Sequence, residues 1–266
     1  MADSPAPADD AAGPEDQPPR SFAAKVGSLG KELLIVVVGA LVIAALIRAF
    51  AGEMFLVPSG SMLNTLQIGD RIAVQKITDF KRGDVVVFKD PDNWLGGEES
   101  APPPGPIRKA LEFIGVLPNT SNQYLVKRAI GMPGDHVVCC DRKGRITVNG
   151  KPLNESSYLY SSGGRRSKPS QTPFDVVVPA DRIWVLGDHR DNSCDSRYHL
   201  GDPSPAGKYM NAFVPIDDVV GPVFAIVSPL SDATWESQPD TFKNVPDPSG
   251  RPPATATVKA PMQSCG

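Results

Sequence analysis

Apolar positions along this chain fall into two regimes. From Leu33 to Ile47 every residue is apolar or small, and Arg48, Ala49 and Phe50 continue the run. Taken to Phe50 it makes a helix roughly 27 Å long, close to the ~30 Å hydrocarbon core of a bilayer. A segment of this kind offers no polar face to water, so the pattern predicts a transmembrane helix over residues 33–50. Arg48 falls at one end, where its stem can lie in lipid while the guanidinium reaches the interface.

Beyond Gly52 the pattern changes to short apolar runs bounded by Gly, Pro or Asp. Arg71 to Val74, Val85 to Phe88, Val137 to Cys140, Ile146 to Val148 and Val176 to Val178 are predicted strands, with Ile183 to Leu186 and Val219 to Val227 further along. Asp141-Arg142-Lys143-Gly144 and Asn149-Gly150 supply hairpin chemistry between β-rich runs. One short helix is expected near Arg108 to Ile114. The segment Val219 to Val227 contains Pro222 and is too short to span a bilayer, so a single crossing is expected. The external part therefore reads as mostly β.

Proline sets the boundaries of this domain. The 28 prolines crowd into Met1 to Pro19, Pro102 to Pro106 and the stretch from Pro239 onward, where too little apolar surface is available to offset chain entropy. The expected organisation is a disordered leader over 1–32, the membrane helix over 33–50, a β-rich domain over 51–230 and a disordered Pro-rich tail over 231–266. Asn93 to Pro106 is expected to be a surface excursion from the domain.

Charge then orients the chain. Arg20, Lys25 and Lys31 precede the apolar run, whereas no Lys or Arg follows Arg48 until Arg71. The positive-inside rule places the N-terminus in the cytoplasm and everything from Gly52 outside. A cleavable leader is the competing reading, because Ala49-Phe50-Ala51 has the small-x-small form of a cleavage site. An acidic, proline-rich start and an apolar run longer than the ~7–15 residues of a typical leader core oppose it. With 27 basic against 30 acidic side chains, a net charge of −3 and no basic block, the footprint of a nucleic-acid binder is absent.

Candidate chemistry appears at Val57-Pro58-Ser59-Gly60-Ser61-Met62, a turn presenting two hydroxyls soon after the membrane. A serine nucleophile needs a base. Of the three histidines, His189, between Asp188 and Arg190, is the one tempting candidate for a Ser/His arrangement. Lys127 is the other choice, because Tyr124-Leu125-Val126 precede it and Ala129-Ile130 follow. An apolar shell disfavours the ammonium form and prepares a lysine to accept a proton. Lowering its pKa from ~10.4 to ~8 takes roughly 3 kcal/mol of differential interaction. The four cysteines, Cys139, Cys140, Cys194 and Cys265, face an oxidising compartment in this topology, which permits a disulfide and leaves its pairing open. They show no zinc spacing with the histidines, and neither a metal nor a cofactor is expected.

Four segments in order resemble the bacterial type I signal peptidases, or leader peptidases. They are Pro58 to Leu66 (PSGSMLNTL), Arg82 to Phe88 (RGDVVVF), Lys127 to Asp135 (KRAIGMPGD) and Gly187 to Arg197 (GDHRDNSCDSR). With the preceding helix the likeness extends from about Leu33 to Leu230. It implies a coiled antiparallel β-sheet serine-protease domain behind one transmembrane helix. The activity it implies is removal of signal peptides from exported preproteins after a small-x-small motif, through a Ser/Lys dyad. By the same resemblance Ser61 is the nucleophile, Lys127 the general base and Ser59 a hydroxyl donor to the oxyanion. Ser193 would hydrogen-bond the lysine amine, and Asp195 and Arg197 would form a supporting ion pair. Phe55, Val57, Met62, Leu66, Leu125 and Val126 would line shallow substrate pockets. Asn64 stands where the family usually has proline, His189 where asparagine is common and Cys194 where alanine is common. The expected partners are exported preproteins and the lipid bilayer. Two alternatives are weighed against this reading: a Ser/Lys self-cleaving protease of the repressor type, which would lack the anchor, and an inactive membrane-tethered binding domain, which would be expected to have lost Ser61 or Lys127.

Overall fold

The computed structural model describes residues 31–43, 52–96, 105, 107, 109 and 124–259. The chain divides into two units after residue 43. The first contains a helix over residues 31–43 with an almost wholly exposed surface. Among the described residues, no helix is long and apolar enough to cross a membrane; residues 44–50 of the expected span lie outside them. So do residues 1–30 of the leader, most of the expected excursion, and the short helix expected from Arg108 to Ile114 apart from Lys109.

The second unit is mostly β. Its strands are β1 (Glu53–Leu56), β2 (Arg71–Val74), β3 (Val85–Lys89), β4 (Tyr124–Gly131), β5 (His136–Cys139), β6 (Thr147–Val148) and β7 (Lys151–Pro152). There follow β8 (Ser161–Ser162), β9 (Arg165–Arg166), β10 (Phe174–Val177), β11 (Arg182–Leu186), β12 (Val214–Pro215), β13 (Val219–Ser228), β14 (Thr234–Trp235) and β15 (Thr257–Lys259). A large sheet runs in the order β1-β2-β13-β3-β4-β11-β12, with β14 beside β13, and a smaller sheet runs β15-β10-β5-β6-β7. The pairings are antiparallel. Trp184, Phe213, Phe174, Val137 and Ile146 are among the buried residues of the core cluster that joins strands of both sheets.

One strand gives the large sheet its coil. The first half of β13 pairs with β3 and the second half with β2, and its register shifts at Val219/Gly221, Val223/Ala225 and Ile226/Ser228. Bulges of this kind bend a strand and raise its twist. At the crossover a Cβ on Gly221 would stand 1.9 Å from the Gln75 carbonyl oxygen, so only glycine fits. Pro222 has no N–H to donate, but its carbonyl accepts the Gln75 N–H at 3.1 Å.

The C-terminal stretch departs from expectation. Residues 231–259 are not a free tail but a strap across both sheets: β14 extends the large sheet, and β15 pairs with β10 on the small one. Phe242 is buried in the core, Val245 and Val258 pack against it, and Pro248 and Pro252 lie over Gly134. A proline-rich segment needs no core of its own when single apolar anchors reach an existing one. Proline also restricts the unfolded chain, which reduces the entropy lost on docking. Cys139 and Cys140, adjacent at the end of β5, form a disulfide.

Candidate active site

The residues that gather at the site come from three places. Ser61 sits in a short 3-10 turn, Gly60–Met62, directly after β1, with Ser59 extended ahead of it (φ −134°, ψ 161°). Asn64 closes the turn in the left-handed region (φ 88°), which proline cannot adopt, in place of the family's usual residue. Lys127 lies in mid-β4, opposite Val86 of β3. Gly187 to Arg197 forms the loop after β11.

Lys127 Nζ donates to Ser61 Oγ at 2.7 Å. The lysine is 3% exposed, and burial lowers its pKa from 10.5 to about 8 against the opposing pull of the Asp195 and Asp188 charges, with Arg197 adding to the lowering. A buried amine that titrates near neutrality beside a hydroxyl can take that hydroxyl's proton. Ser59 Oγ lies 3.4 Å from Ser61 Oγ, on the same turn. The histidines are elsewhere: His189 directs Nδ1 to the Gly60 carbonyl at 3.2 Å, His199 pairs with Asp202, and His136 with Asp175. None faces the Ser61 hydroxyl, which leaves the Ser/His arrangement without a base.

The loop holds Ser61 by its backbone. The His189 N–H donates to the Ser61 carbonyl at 3.0 Å. A Cβ on Gly187 would come 2.6 Å from that carbonyl and 2.2 Å from Ser193 Oγ, so the loop packs here only without a side chain. The Asp195–Arg197 pair is present: Arg197 grips both carboxylate oxygens at 2.8 Å, and the Gly187 N–H donates to one of them at 3.0 Å. Burial alone would raise the Asp195 pKa, but the Arg197 charge and these hydrogen bonds hold it below the ordinary carboxylate value.

Ser193 does not make the expected bond to the lysine. Extended after the Arg190–Asn192 turn, it directs Oγ towards Gly187, buried and without a well-formed hydrogen bond among the described residues. It lies near enough to Asp195 to help lower that carboxyl's pKa.

Phe55, Val57, Met62, Leu66 and Val126 do gather, in one apolar cluster with Ile72, Val74, Val85 and Val87. Met62 and Leu66 are 1% and 0% exposed, so they form the floor beneath any pocket rather than its open wall. Leu125 is the exception. Successive residues of a strand face opposite sides, and Leu125 packs with Val86, Phe88 and Trp94 in a separate cluster. Beside Phe55, β1 ends the large sheet and, among the described residues, pairs with β2 alone.

Two buried ion pairs carry roles that the sequence reading did not assign. Arg128, next to the lysine, binds both oxygens of Asp188 at 2.9 and 2.6 Å, and Thr65 donates to the same carboxylate at 2.5 Å. This ties β4, the loop and the segment after Ser61 into one knot. Arg190 binds Glu155 at 2.6 Å and the Gly187 carbonyl at 2.9 Å. Arg128, Asp188 and Arg190 belong to runs already noted and Glu155 to none, but only their burial marks them. A cavity of about 770 Å³ opens beyond Arg128, lined among others by Asn64, Tyr158, Trp235, Glu236 and Asp240; neither Ser61 nor Lys127 lines it. Among the described residues, no cluster of His, Cys, Asp and Glu has the arrangement to hold a metal ion.

A serine hydroxyl hydrogen-bonded to a buried, pKa-lowered lysine is the arrangement that a serine hydrolase with an amine as base requires. Residues 30–228 match the family described as Signal peptidase, peptidase S26, and the chain belongs to that family. Among its relatives, the signal peptidase I of Mycobacterium tuberculosis is 36% identical over 225 residues, covering 76% of this chain and 73% of that protein. The probable signal peptidase I of Mycobacterium leprae is 36% identical over 224 residues (75% and 76%). The probable signal peptidase I-2 of Synechocystis is 31% identical over 240 residues (82% and 88%).

Proposed function

We propose that this chain is a membrane-anchored serine endopeptidase that removes signal peptides from exported preproteins, with Ser61 as nucleophile and Lys127 as general base. The observation that carries the reading is the 2.7 Å hydrogen bond between a lysine of pKa about 8 and the serine hydroxyl. Neutral Lys127 takes the Ser61 proton as Oγ attacks the scissile carbonyl. The oxyanion accepts hydrogen bonds from the Ser61 N–H and the Ser59 hydroxyl, donors of a kind worth ~3–4 kcal/mol each in the transition state. Protonated Lys127 returns its proton to the departing amine, which is the new N-terminus of the mature protein. Water, giving a proton to Lys127, then attacks the ester carbonyl, and Lys127 passes that proton to Ser61 Oγ as the C–Oγ bond breaks, which frees the leader's carboxyl group and restores the serine and the neutral amine.

Ser61 lies eleven residues beyond Phe50, a reach of at most ~40 Å. With residues 33–50 across the bilayer and the N-terminus in the cytoplasm, the nucleophile meets a leader where it emerges from its own apolar segment. The free edge of β1 suits an extended substrate, paired by its main chain. Cleavage of a synthetic preprotein by the purified protein, abolished in Ser61→Ala, tests the activity. Protease added to intact cells should degrade the part after Gly52 and spare an N-terminal tag; the reverse pattern overturns the topology.

A further inference from the structure

The strands β8 and β9 make a small hairpin that the proposed chemistry does not use. Ser161 pairs with Arg166 and Ser162 with Arg165 around the turn Gly163-Gly164 (φ 56° and 77°). Every residue from Ser161 to Arg166 is exposed, as is Lys168. Arg165, Arg166 and Lys168 have no ion-pair partner among the described residues. Two ladder pairs with no buried side chain do not hold a hairpin by themselves.

Its base holds it, and the base is the loop beside Ser61. The Tyr160 N–H donates to the Asp188 carbonyl at 3.1 Å and the Ser167 N–H to the Tyr160 carbonyl at 2.8 Å. Ser167 Oγ donates to Asp191 at 2.6 Å, and Gln171 bonds the same carboxylate. The Tyr160 ring lies 3.9 Å from that of His189, the residue whose N–H holds the Ser61 carbonyl. Three residues of strand rise only ~10 Å, so the cations stand within a few substrate residues of the nucleophile. The nearby carboxylate of Asp191 is turned to Ser167 and Gln171 and forms no ion pair with these cations.

We propose that Arg165, Arg166 and Lys168 form a cationic finger that binds acidic side chains in the mature segment of the substrate, just after the cleaved bond, and so ranks one preprotein above another. This rests on the peptidase reading above. The occupant follows from substrate chemistry. A leader offers a positive start, an apolar core and small residues at the cut, and no anion. Complementary charge on the chain being cut is then available only on the mature side. The finger also reaches the nucleophile turn through His189 and not through the apolar cluster under β1, which suits the leader end.

The test uses the detergent-solubilised full chain, without lipid, and two soluble peptides identical through the cut. One carries Asp and Glu at the second to fourth positions after it, the other Asn and Gln. At low salt the acidic peptide should have a kcat/KM higher by ~3- to 10-fold, the range expected of one to three exposed ion pairs. The preference should shrink at high ionic strength. It should vanish in the triple variant Arg165→Gln, Arg166→Gln, Lys168→Gln, with the neutral peptide cut at an unchanged rate. Equal rates for the two peptides with wild type would overturn the inference. So would an equal loss on both peptides in the triple variant, which would mean that the hairpin acts through the geometry of the His189 loop. In a second arm with anionic vesicles, salt-sensitive vesicle binding that the triple variant loses, with no preference between the two peptides, would assign the finger to lipid headgroups instead. Failure of the wild type to cut either peptide would overturn the peptidase reading, and this inference with it.

Discussion

Lys127 is where burial meets the proposed chemistry. Its pKa of about 8 means that the neutral, proton-accepting form grows tenfold per unit as pH rises towards 8; at pH 6 only ~1% is present. The acidic limb of kcat/KM should therefore bend near pH 8, and Lys127→Arg should be as inactive as Lys127→Ala because a guanidinium keeps its proton. The same shift affects stability. Between pH 8 and 10.5 the unfolded chain binds the proton and the folded one does not, so folding stability from this group rises with pH across that window. Below it the buried ammonium costs about 3 kcal/mol. Lys127→Met should thus melt above wild type at pH 7, and the difference should narrow by pH 10. Ser59 sets a separate test, because a donor to the oxyanion needs a hydroxyl and nothing more. Ser59→Ala should lower kcat ~100-fold or more with little change in KM, while Ser59→Thr retains much of the rate. Equal losses would make Ser59 a residue of the turn alone.

At the scale of elements, the site is a meeting of the Gly60–Met62 turn, β4 and the loop after β11, and Gly187 is the closest approach among them. Gly187→Ala would push a methyl group against the Ser61 carbonyl and Ser193 Oγ. A displacement of the nucleophile by ~1 Å costs on the order of 100-fold in rate. The expected result is a folded protein, by circular dichroism, with kcat/KM down by about that factor. Two of the elements nearest the site, β1 and β4, were not legible as strands. In β4 two adjacent charges, Lys127 and Arg128, interrupt the apolar run, and both are nevertheless buried. They stand there because Ser61 and Asp188, 66 and 60 residues away in sequence, receive them. The strands that were legible, such as β2, β3 and β11, carry uninterrupted apolar runs.

Across the whole molecule, the C-terminal strap joins the two sheets and supports the site from behind. The Phe242 ring packs on Gly83, whose carbonyl accepts from Arg128 at 2.7 Å. Emptying a site of this size costs ~3–5 kcal/mol. Phe242→Ala should therefore lower the melting temperature by on the order of 10 °C, measured by thermal unfolding. An unchanged melting temperature would mean that the strap adds nothing to the fold.

Sequence alone was enough for the family and for proposing Ser61 and Lys127 as nucleophile and base, because these rest on residue identities in ordered segments: PSGSM, KRAIGMPGD and GDHRDNSCDSR can be matched without coordinates. It also carried the mostly β character, since short apolar runs between Gly, Pro and Asp follow from local backbone preference. The apolar shell inferred from the neighbours of Lys127 was correct in direction, although the neighbours in sequence are only part of that shell. Tertiary structure decided what depends on partners distant along the chain. It paired Arg128 with Asp188, turned Ser193 towards Gly187, put Leu125 on the face away from Phe55 and Met62, and laid the proline-rich C-terminal strap onto a core that its own composition could not supply. Local pattern reports what a segment prefers, whereas burial, charge pairing and side-chain direction depend on which surfaces the rest of the fold presents to it.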